Sequence, residues 1–194
     1  MEIRTISLQD ETAFRAFQDL LLEEKQEGNP FVETQKVTDF ASFVNNLKRL
    51  ETETTNPDWS TQTTHFAFDK GEILGKISCR WEIDKGDLAR AGGHIGYVTS
   101  PKYRQQGIMS KLLQFALAQY QERGIPKVLI TANEDNSASR RTIEKVGGSL
   151  ENLIMLEDDY PSSHMAGQTI ARYWIDLENK KCLRKHLSGI LTAR

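Results

Sequence analysis

Cysteine is scarce in this chain, which has two among its 194 residues, Cys79 and Cys182. Two cysteines so far apart predict neither a disulfide framework nor a metal cluster. No uninterrupted apolar run approaches the roughly 20 residues that cross a bilayer, so a membrane-spanning helix is not expected. The segment from Met1 to Ile6 lacks a basic region followed by an apolar core, so no secretory signal is visible. We therefore expect a cytoplasmic protein without a metal site.

A strong charge of either sign is also missing. The chain has 25 lysines and arginines against 27 aspartates and glutamates, a formal net charge of −2. This balance gives no general attraction to nucleic acid or to an anionic membrane, and neither is expected as a partner. Hydrophobic residues make up 38% of the chain and charged residues 27%, as in an ordinary globular protein. The length predicts one domain over residues 1–194.

Two common nucleotide-binding signatures are absent. No glycine-rich segment ends in Gly-Lys-Ser or Gly-Lys-Thr, so there is no P-loop, and no run has the three glycines of the dinucleotide fingerprint. The chain also lacks a convincing Ser/His or Cys/His set for nucleophilic catalysis. A reaction without a covalent enzyme intermediate is consistent with this absence.

One segment couples backbone geometry to chemistry, the stretch from Tyr97 to Leu113. A short β-branched strand runs into a turn, then Gly107, then an amphipathic helix. The first turn of a helix has N–H groups without intrahelical partners and carries partial positive charge. Gly107 has no side chain to keep a ligand away, so the junction predicts a pyrophosphate cradle. Ordinary scaffolding of an α/β fold is the alternative.

The same segment resembles a known family. Pro101-x-x-Arg104-x-x-Gly107-x-Met109, following a strand, is similar to the acyl-coenzyme A loop of the GNAT N-acetyltransferase superfamily. The resemblance continues through Val128 to Ser139, a strand that leads into a helix, and into Glu144-Lys-Val-Gly147-Gly148. It implies an acyl-CoA-binding core at about 94–150, whereas residues 1–93 fit by element order alone.

The resemblance also implies which residues hold the coenzyme. Main-chain N–H groups of the loop would bind the pyrophosphate, the strand before it would pair with the pantetheine amide, and the start of the next helix would form a second contact. The residues implied are Val98, Thr99, Arg104, Gln105, Gln106, Gly107, Ile108, Met109, Asn136 and Ser139. Acetyl-CoA is then a co-substrate, and no metal is required.

Two positions depart from the family pattern. Met109 stands where a Gly or Ala is usual, and it would crowd the cradle unless its side chain packs in the core. Ile143 stands where many members have a Tyr that protonates the leaving thiolate. The proton would then come from water or from another residue, such as Tyr97, Tyr160 or Tyr173, or it would not be needed. A thiolate with a pKa near ~8.5 also leaves without much help.

The acceptor amine needs a base, because an alkyl amine with a pKa of about 10.4 is protonated at neutral pH. Glu82 and His94 are the two candidates near the expected cleft, and Glu151 and Asn152, at the start of a late strand, are further alternatives. Glu82 is also explained as solvent-exposed decoration of a strand, and His94 as a structural histidine bonded to the loop.

The periodicity predicts the order β-α-α-β-β-β-α-β-α-β-β, with helices over 8–24, 40–50, 105–123 and 137–146 and a long third strand over 72–84. The predicted fold is α/β (α+β), GNAT-like. It has a mixed, mostly antiparallel sheet of about seven strands with helices on both faces. The family implies a V-shaped splay between strands 4 and 5, and ligands bind at such a break. The basic tail, residues 179–194, is expected to be a solvent-exposed or dimer-facing end.

These observations lead to one main hypothesis, an enzyme that moves an acetyl group from acetyl-CoA to a primary amine by direct attack in a ternary complex. A non-catalytic acyl-CoA sensor and a nucleotide-binding protein of another kind are the alternatives. The sequence leaves the acceptor open among small amines, antibiotics, peptide N-termini and protein lysines. It also leaves open whether the protein is a homodimer.

Overall fold

The structure, a computed structural model, describes residues 1–162 and 165–178. The basic tail and Cys182 lie outside these residues. The described strands are β1 Glu2–Arg4, β2 Gln62–Asp69, β3 Glu72–Arg80, β4 Ile95–Thr99, β5 Lys127–Asn133, β6 Ser149–Met155 and β7 Thr169–Asp176. The described helices are α1 Glu11–Gln26, α2 Phe40–Leu50, α3 Ile108–Glu122 and α4 Ser137–Lys145, with short helical turns at Leu8–Asp10, Leu88–Gly92 and Pro101–Tyr103.

The strands form two antiparallel sheets, of order β1-β2-β3-β4 and β5-β7-β6. A tight turn with positive φ at Lys70 (48°) and Gly71 (80°) joins β2 to β3, as the twist of a two-residue hairpin requires. The edge strands β4 and β5 face each other, and α3 connects them. The predicted class, a mixed α/β fold with about seven strands, is confirmed.

Two hydrophobic clusters lie on opposite faces of the first sheet. On one face α1 and α2 bury Phe14, Phe17 and Phe40 against Phe66 of β2. On the other face α3 packs its apolar side against both sheets, with Leu112, Leu113, Ala116, Leu117 and Tyr120 all fully buried. Because α3 is apolar at helical spacing toward both sheets, it holds the two halves of the fold together. The helices therefore cover both faces, as predicted.

The prediction for β3 is wrong at its end. Alternation predicts a strand to residue 84, but β3 ends at Arg80. Cys79 pairs with Ile95, the first residue of β4, and Arg80 pairs with Gln62, the first residue of β2, so the residues after Arg80 have no strand partner. The Trp81 N–H donates both to Thr61 O and to Ser60 Oγ, each at 3.1 Å, and the Glu82 N–H donates to Ser60 Oγ at 3.0 Å. Glu82 therefore lies in a loop, rather than on the polar face of a strand.

No helix among residues 1–162 and 165–178 is long and apolar enough to cross a membrane. Within the same residues, no group of three or more His, Cys, Asp and Glu side chains is arranged to hold a metal ion.

Candidate active site

The candidate site is the slot between β4 and β5, and its closed end is at His94. The His94 N–H donates to Leu129 O at 2.8 Å, and the Leu129 N–H donates to His94 Nδ1 at 2.9 Å. Beyond this point neither sheet ladder includes both strands, so among the described residues β4 and β5 are unpaired toward Thr99 and Asn133. A slot closed at one end and open at the other is the expected V-shaped splay.

His94 is buried, with 5% of its surface exposed, and its ring packs edge-on against Tyr120. Burial lowers the pKa of His94 to about 4, so the imidazole is neutral at physiological pH. Because Nδ1 accepts the Leu129 N–H, the proton of the neutral ring is on Nε2. The geometry thus gives His94 a structural bond between the two strands. Its role as a base stays a prediction.

Glu82, the other candidate base, is exposed just after β3 and forms an ion pair with Lys85 at 2.6 Å. The loop that contains it is held by Ser60, whose hydroxyl accepts the N–H groups of Trp81 and Glu82. The structure does not bring Glu82 into contact with His94, which lies inside the closed end of the slot. Its catalytic role also stays a prediction.

The segment between β4 and α3 has the backbone of an anion-binding loop. Gln105 and Gly107 both have left-handed φ, 60° and 74°, on either side of Gln106. Among the described residues, the main-chain N–H groups from Gln105 to Met109 have no hydrogen-bond acceptor. Alternation of right- and left-handed residues turns successive N–H groups toward one concavity, which favours an anion. The start of α3 adds partial positive charge there.

Gly107 leaves this concavity empty of side chains. A Cβ added at Gly107 would have no heavy atom within 4 Å, so the position opens onto free space. The φ of 74° is also one that side-chain-bearing residues rarely adopt. Open space, N–H groups without acceptors and the start of a helix therefore occur together at Gly107. The residues present fit a coenzyme diphosphate.

The side-chain cations of the loop have other partners. Arg104 forms a two-point ion pair with Glu24 of α1, and Lys102 lies 2.7 Å from Glu72 of β3. Burial opposes ionisation of Glu24, but hydrogen bonds from Arg104 and Asn29 hold the pKa of its carboxyl below its ordinary value. Arg104 thus fastens the loop to α1, and main-chain groups provide most of the cradle.

Met109 and Ile108 point away from the cradle. Both are buried in the cluster under α3, at 7% and 8% exposure. The prediction that the Met109 side chain packs in the core is confirmed. The larger residue at the family's Gly or Ala position therefore does not obstruct the loop.

Ladder alternation decides which amides of β4 face the slot. Two main-chain bonds join β3 to the residues on either side of β4: the Arg80 N–H donates to His94 O, and the Ser100 N–H donates to Leu74 O. The even-numbered residues 94 and 100 therefore bond toward β3. In an antiparallel strand, alternate residues bond to the same neighbour. Val98 is therefore directed to β3, whereas the main-chain groups of Thr99 and Tyr97 face the slot. The sequence alone does not distinguish Val98 from Thr99.

The start of α4 forms the opposite wall. Asn136 is the N-cap of α4, and its Oδ1 accepts the Ser139 N–H at 3.0 Å. The Ser139 hydroxyl shares a hydrogen bond of 2.7 Å with the Tyr97 hydroxyl, which links this wall to β4. Burial raises the pKa of Tyr97 to about 12. Sequence reasoning names both residues but misses their contact, because it joins positions 42 apart.

Ile143 is fully buried in the cluster under α3 and has no proton to give. Ile143 also leaves no room for a side chain in the tight turn after α4, because a Cβ at Gly148 would lie 2.5 Å from Ile143 Cγ2. The position of the usual family tyrosine is thus part of the core in this chain.

The family comparison covers this part of the chain. The model of the acetyltransferase (GNAT) family matches residues 20–148, which include the cradle and the start of α4. The chain belongs to this family. A relative, N-alpha-acetyltransferase 30 of Schizosaccharomyces pombe, is 30% identical over 82 residues, 42% of this chain and 53% of the relative. The chain thus matches about half the length of that relative.

Two solved structures share the fold. The Salmonella typhimurium acetyltransferase that modifies the N-terminal serine of ribosomal protein L7/L12 has a TM-score of 0.65 and 20% identity, over 90% of this chain and 94% of its own. RimJ of Mycobacterium smegmatis, in complex with CoA-disulfide, has a TM-score of 0.68 and 17% identity, over 96% of this chain and 88% of its own. The resemblance seen in the sequence is confirmed at the level of family and fold.

Proposed function

We propose that the protein transfers an acetyl group from acetyl-CoA to a primary amine by direct attack of the amine on the thioester. The observation that carries the proposal is the loop between β4 and α3, where the N–H groups of Gln105 to Met109 surround open space at Gly107. A coenzyme diphosphate is the anion that such a loop in this family would take.

The chain's residues would hold acetyl-CoA at three places. Main-chain N–H groups from Gln105 to Met109 would bind the diphosphate. The slot-facing groups of Thr99 and Tyr97 would pair with the pantetheine amides, as an added strand pairs with a sheet edge. Ser139 and the free amide nitrogen of Asn136 would contact the arm from the other wall.

The acceptor amine must lose a proton before it attacks, which at neutral pH costs about 4–5 kcal/mol for an alkyl amine. Of the two candidate bases, the geometry favours Glu82. His94 would have to give up the Leu129 N–H to accept a proton at Nδ1. Glu82, in contrast, is exposed and can reach the amine through water.

The leaving thiolate needs little help. With a pKa near ~8.5 it is stable enough to depart as an anion. Tyr97, the nearest phenol on β4, has its pKa raised to about 12, so proton transfer from it to the thiolate is uphill. We therefore propose that solvent supplies this proton, consistent with the buried Ile143 at the usual tyrosine position.

Two measurements test the proposal. Calorimetry with acetyl-CoA should show one site per chain, and release of free CoA thiol should depend on an added amine from a panel of small amines, aminoglycosides and peptides. Acetyl-CoA binding without thiol release from any amine would indicate the sensor instead. Absence of acetyl-CoA binding would overturn both.

We also propose that the protein acts in the cytoplasm, and both a monomer and a homodimer are compatible with the slot. The buried free thiol of Cys79 fits a reducing compartment.

A further inference from the structure

A row of polar side chains lies on the face of the first sheet that α1 and α2 cover. The row consists of Lys76, Ser78 and Arg80, alternate residues of β3, and all three are half-buried. Phe66, which pairs with Lys76 across the β2–β3 ladder, belongs to the cluster under α1 and α2 and fixes which face this is. We call these three residues the basic row. Half-burial shows that the helices leave this part of the face partly open.

Arg80 extends from this row over β4. Its Nη1 donates to Gly92 O at 3.2 Å and to Gly93 O at 3.1 Å, and its other N–H groups have no partner among the described residues. A Cβ added at Gly96 of β4 would lie 3.6 Å from Arg80 Nη2. The guanidinium therefore lies directly above β4, where Gly96 has no side chain to separate it from the slot.

Lys76 has no hydrogen bond or ion pair to a described residue. In the described chain, the side-chain N and O atoms that are sealed from solvent without a partner are His65 Nδ1, Trp81 Nε1 and Ser100 Oγ. The Lys76 ammonium and the unpartnered N–H groups of Arg80 are not among them, so they reach solvent. Donors that reach solvent from a half-buried position remain available to an anion that enters this part of the face.

The charges around the row do not cancel. Glu33, exposed in the segment between α1 and α2, acts electrostatically on both Lys76 and Arg80. Among the residues that the structure describes, this one carboxylate against two cations leaves a surplus of positive charge. The protein packed around the half-buried Lys76 lowers its pKa. A charge in such surroundings attracts an anion more strongly than a charge in water does.

The basic row lies beside the slot between β4 and β5, where acetyl transfer is proposed to take place. Lys76 pairs with Val98 and Ser78 with Gly96, so the row is one strand away from the slot, about 5 Å in the plane of the sheet. The opposite face of β4 is filled by the cluster under α3, which includes Ile95 and Tyr97. An acceptor must therefore approach from the face of the basic row.

We propose that the basic row and Gly96 form the acceptor subsite, and that it selects amines with a carboxylate close to the reacting nitrogen. The proposal rests on the proposed acetyl transfer. An acidic residue near a peptide N-terminus and a free acidic amino acid share this chemistry, and the experiment separates them.

The test compares matched acceptors, Ala-Glu-Ala-Ala-amide, Ala-Gln-Ala-Ala-amide and free glutamate, with the wild-type protein and Lys76→Gln. The wild type should favour the glutamyl peptide over the glutaminyl peptide at least about tenfold in kcat/KM, mainly through KM. Lys76→Gln should abolish this preference and leave the KM for acetyl-CoA unchanged. Lys127→Gln, at the exposed start of β5, is the matched control and should behave as wild type. A preference for free glutamate would assign the site to amino acids.

A second readout separates the subsite from the reaction. Calorimetry with the N-acetylated glutamyl and glutaminyl peptides in the presence of CoA measures anion recognition without turnover. Tighter binding of the glutamyl peptide that Lys76→Gln removes would support the subsite even if no thiol is released. Equal binding of both peptides, or a preference that survives in Lys76→Gln, would overturn it even if acetyl transfer is observed.

Discussion

Replacing Gly107 by Glu tests the cradle most directly. A Cβ at this position meets no atom within 4 Å, so the new side chain would extend into the open concavity of the loop. There its carboxylate would stand near the proposed diphosphate. Two like charges about 4 Å apart at an effective dielectric constant of about 20 repel by about 4 kcal/mol, roughly a thousandfold in affinity.

The same helix offers a matched control. Gly124 follows the C-terminal end of α3, has a φ of 71° against 74° at Gly107, and likewise has no atom within 4 Å of an added Cβ. Both substitutions impose the same left-handed strain, about 1–2 kcal/mol. A carboxylate is favoured by the dipole at the start of a helix and disfavoured at its end. Gly107→Glu should therefore be the more stable of the two variants.

The assay is calorimetric titration with acetyl-CoA, together with thermal unfolding of each variant. We expect Gly107→Glu to lose at least about a hundredfold in affinity, Gly107→Gln to lose less, and Gly124→Glu to bind as wild type. The glutamine variant separates charge from bulk. If Gly107→Glu binds acetyl-CoA as tightly as Gly124→Glu, the loop is not the diphosphate site.

Three further predictions concern His94, Glu24 and Glu82. His94 has its ordinary pKa of about 6.5 in the unfolded chain and a pKa of about 4 in the native protein, so on acidification the unfolded chain takes up the proton first. The free energy of unfolding should therefore fall by about 3 kcal/mol as the pH falls from about 6.5 to about 4. His94→Asn, whose amide oxygen can still accept the Leu129 N–H, should lack that slope in urea unfolding. Glu24→Gln should lower the free energy of unfolding by about 1 kcal/mol at pH 7, because it removes the ion pair with Arg104. This difference from wild type should shrink as the pH falls through the lowered pKa of Glu24. Equal differences at pH 7 and in acid, measured by urea unfolding, would contradict the ion pair. Glu82→Gln should slow acetyl transfer at neutral pH and recover at high pH, and an unchanged pH–rate profile would exclude it as the base.

Local features made parts of the fold predictable. The helix expected over 40–50 is α2, Phe40–Leu50, because an amphipathic pattern follows Asp39, whose carboxylate caps the Ser42 N–H at 2.9 Å. The position of the loop before α3 was predictable for the same reason, since a strand, a glycine and a helix start lie within a dozen residues, whereas its binding of a diphosphate stays a prediction. The inward turn of Met109 also follows from the helical spacing of its neighbours.

Features that depend on distant partners were not predictable. Alternation puts Arg80 on the polar face of β3, but it cannot tell that this face is half-buried and that Gly92 and Gly93 supply acceptors. The end of β3 is set by the point at which β4 starts, not by the residues of β3. For Glu82 and His94 the sequence offers suitable chemistry, whereas orientation and burial depend on contacts with Ser60 and Leu129.

The closed end of the slot explains why β4 and β5 separate where they do. At Gly93 a Cβ would lie 2.9 Å from Leu129 O, so the two backbones approach more closely there than a side chain allows. At the next residue the acceptor for the Leu129 N–H is a ring nitrogen of His94, not a main-chain carbonyl. Because this bond uses a side-chain nitrogen, it does not continue as a main-chain ladder, and among the described residues no ladder joins β4 to β5. The strands then diverge, and the amides of Tyr97 and Thr99 remain available to a substrate. Since only a neutral ring can accept at Nδ1, the shape of the slot depends on a histidine that stays unprotonated, as its lowered pKa ensures.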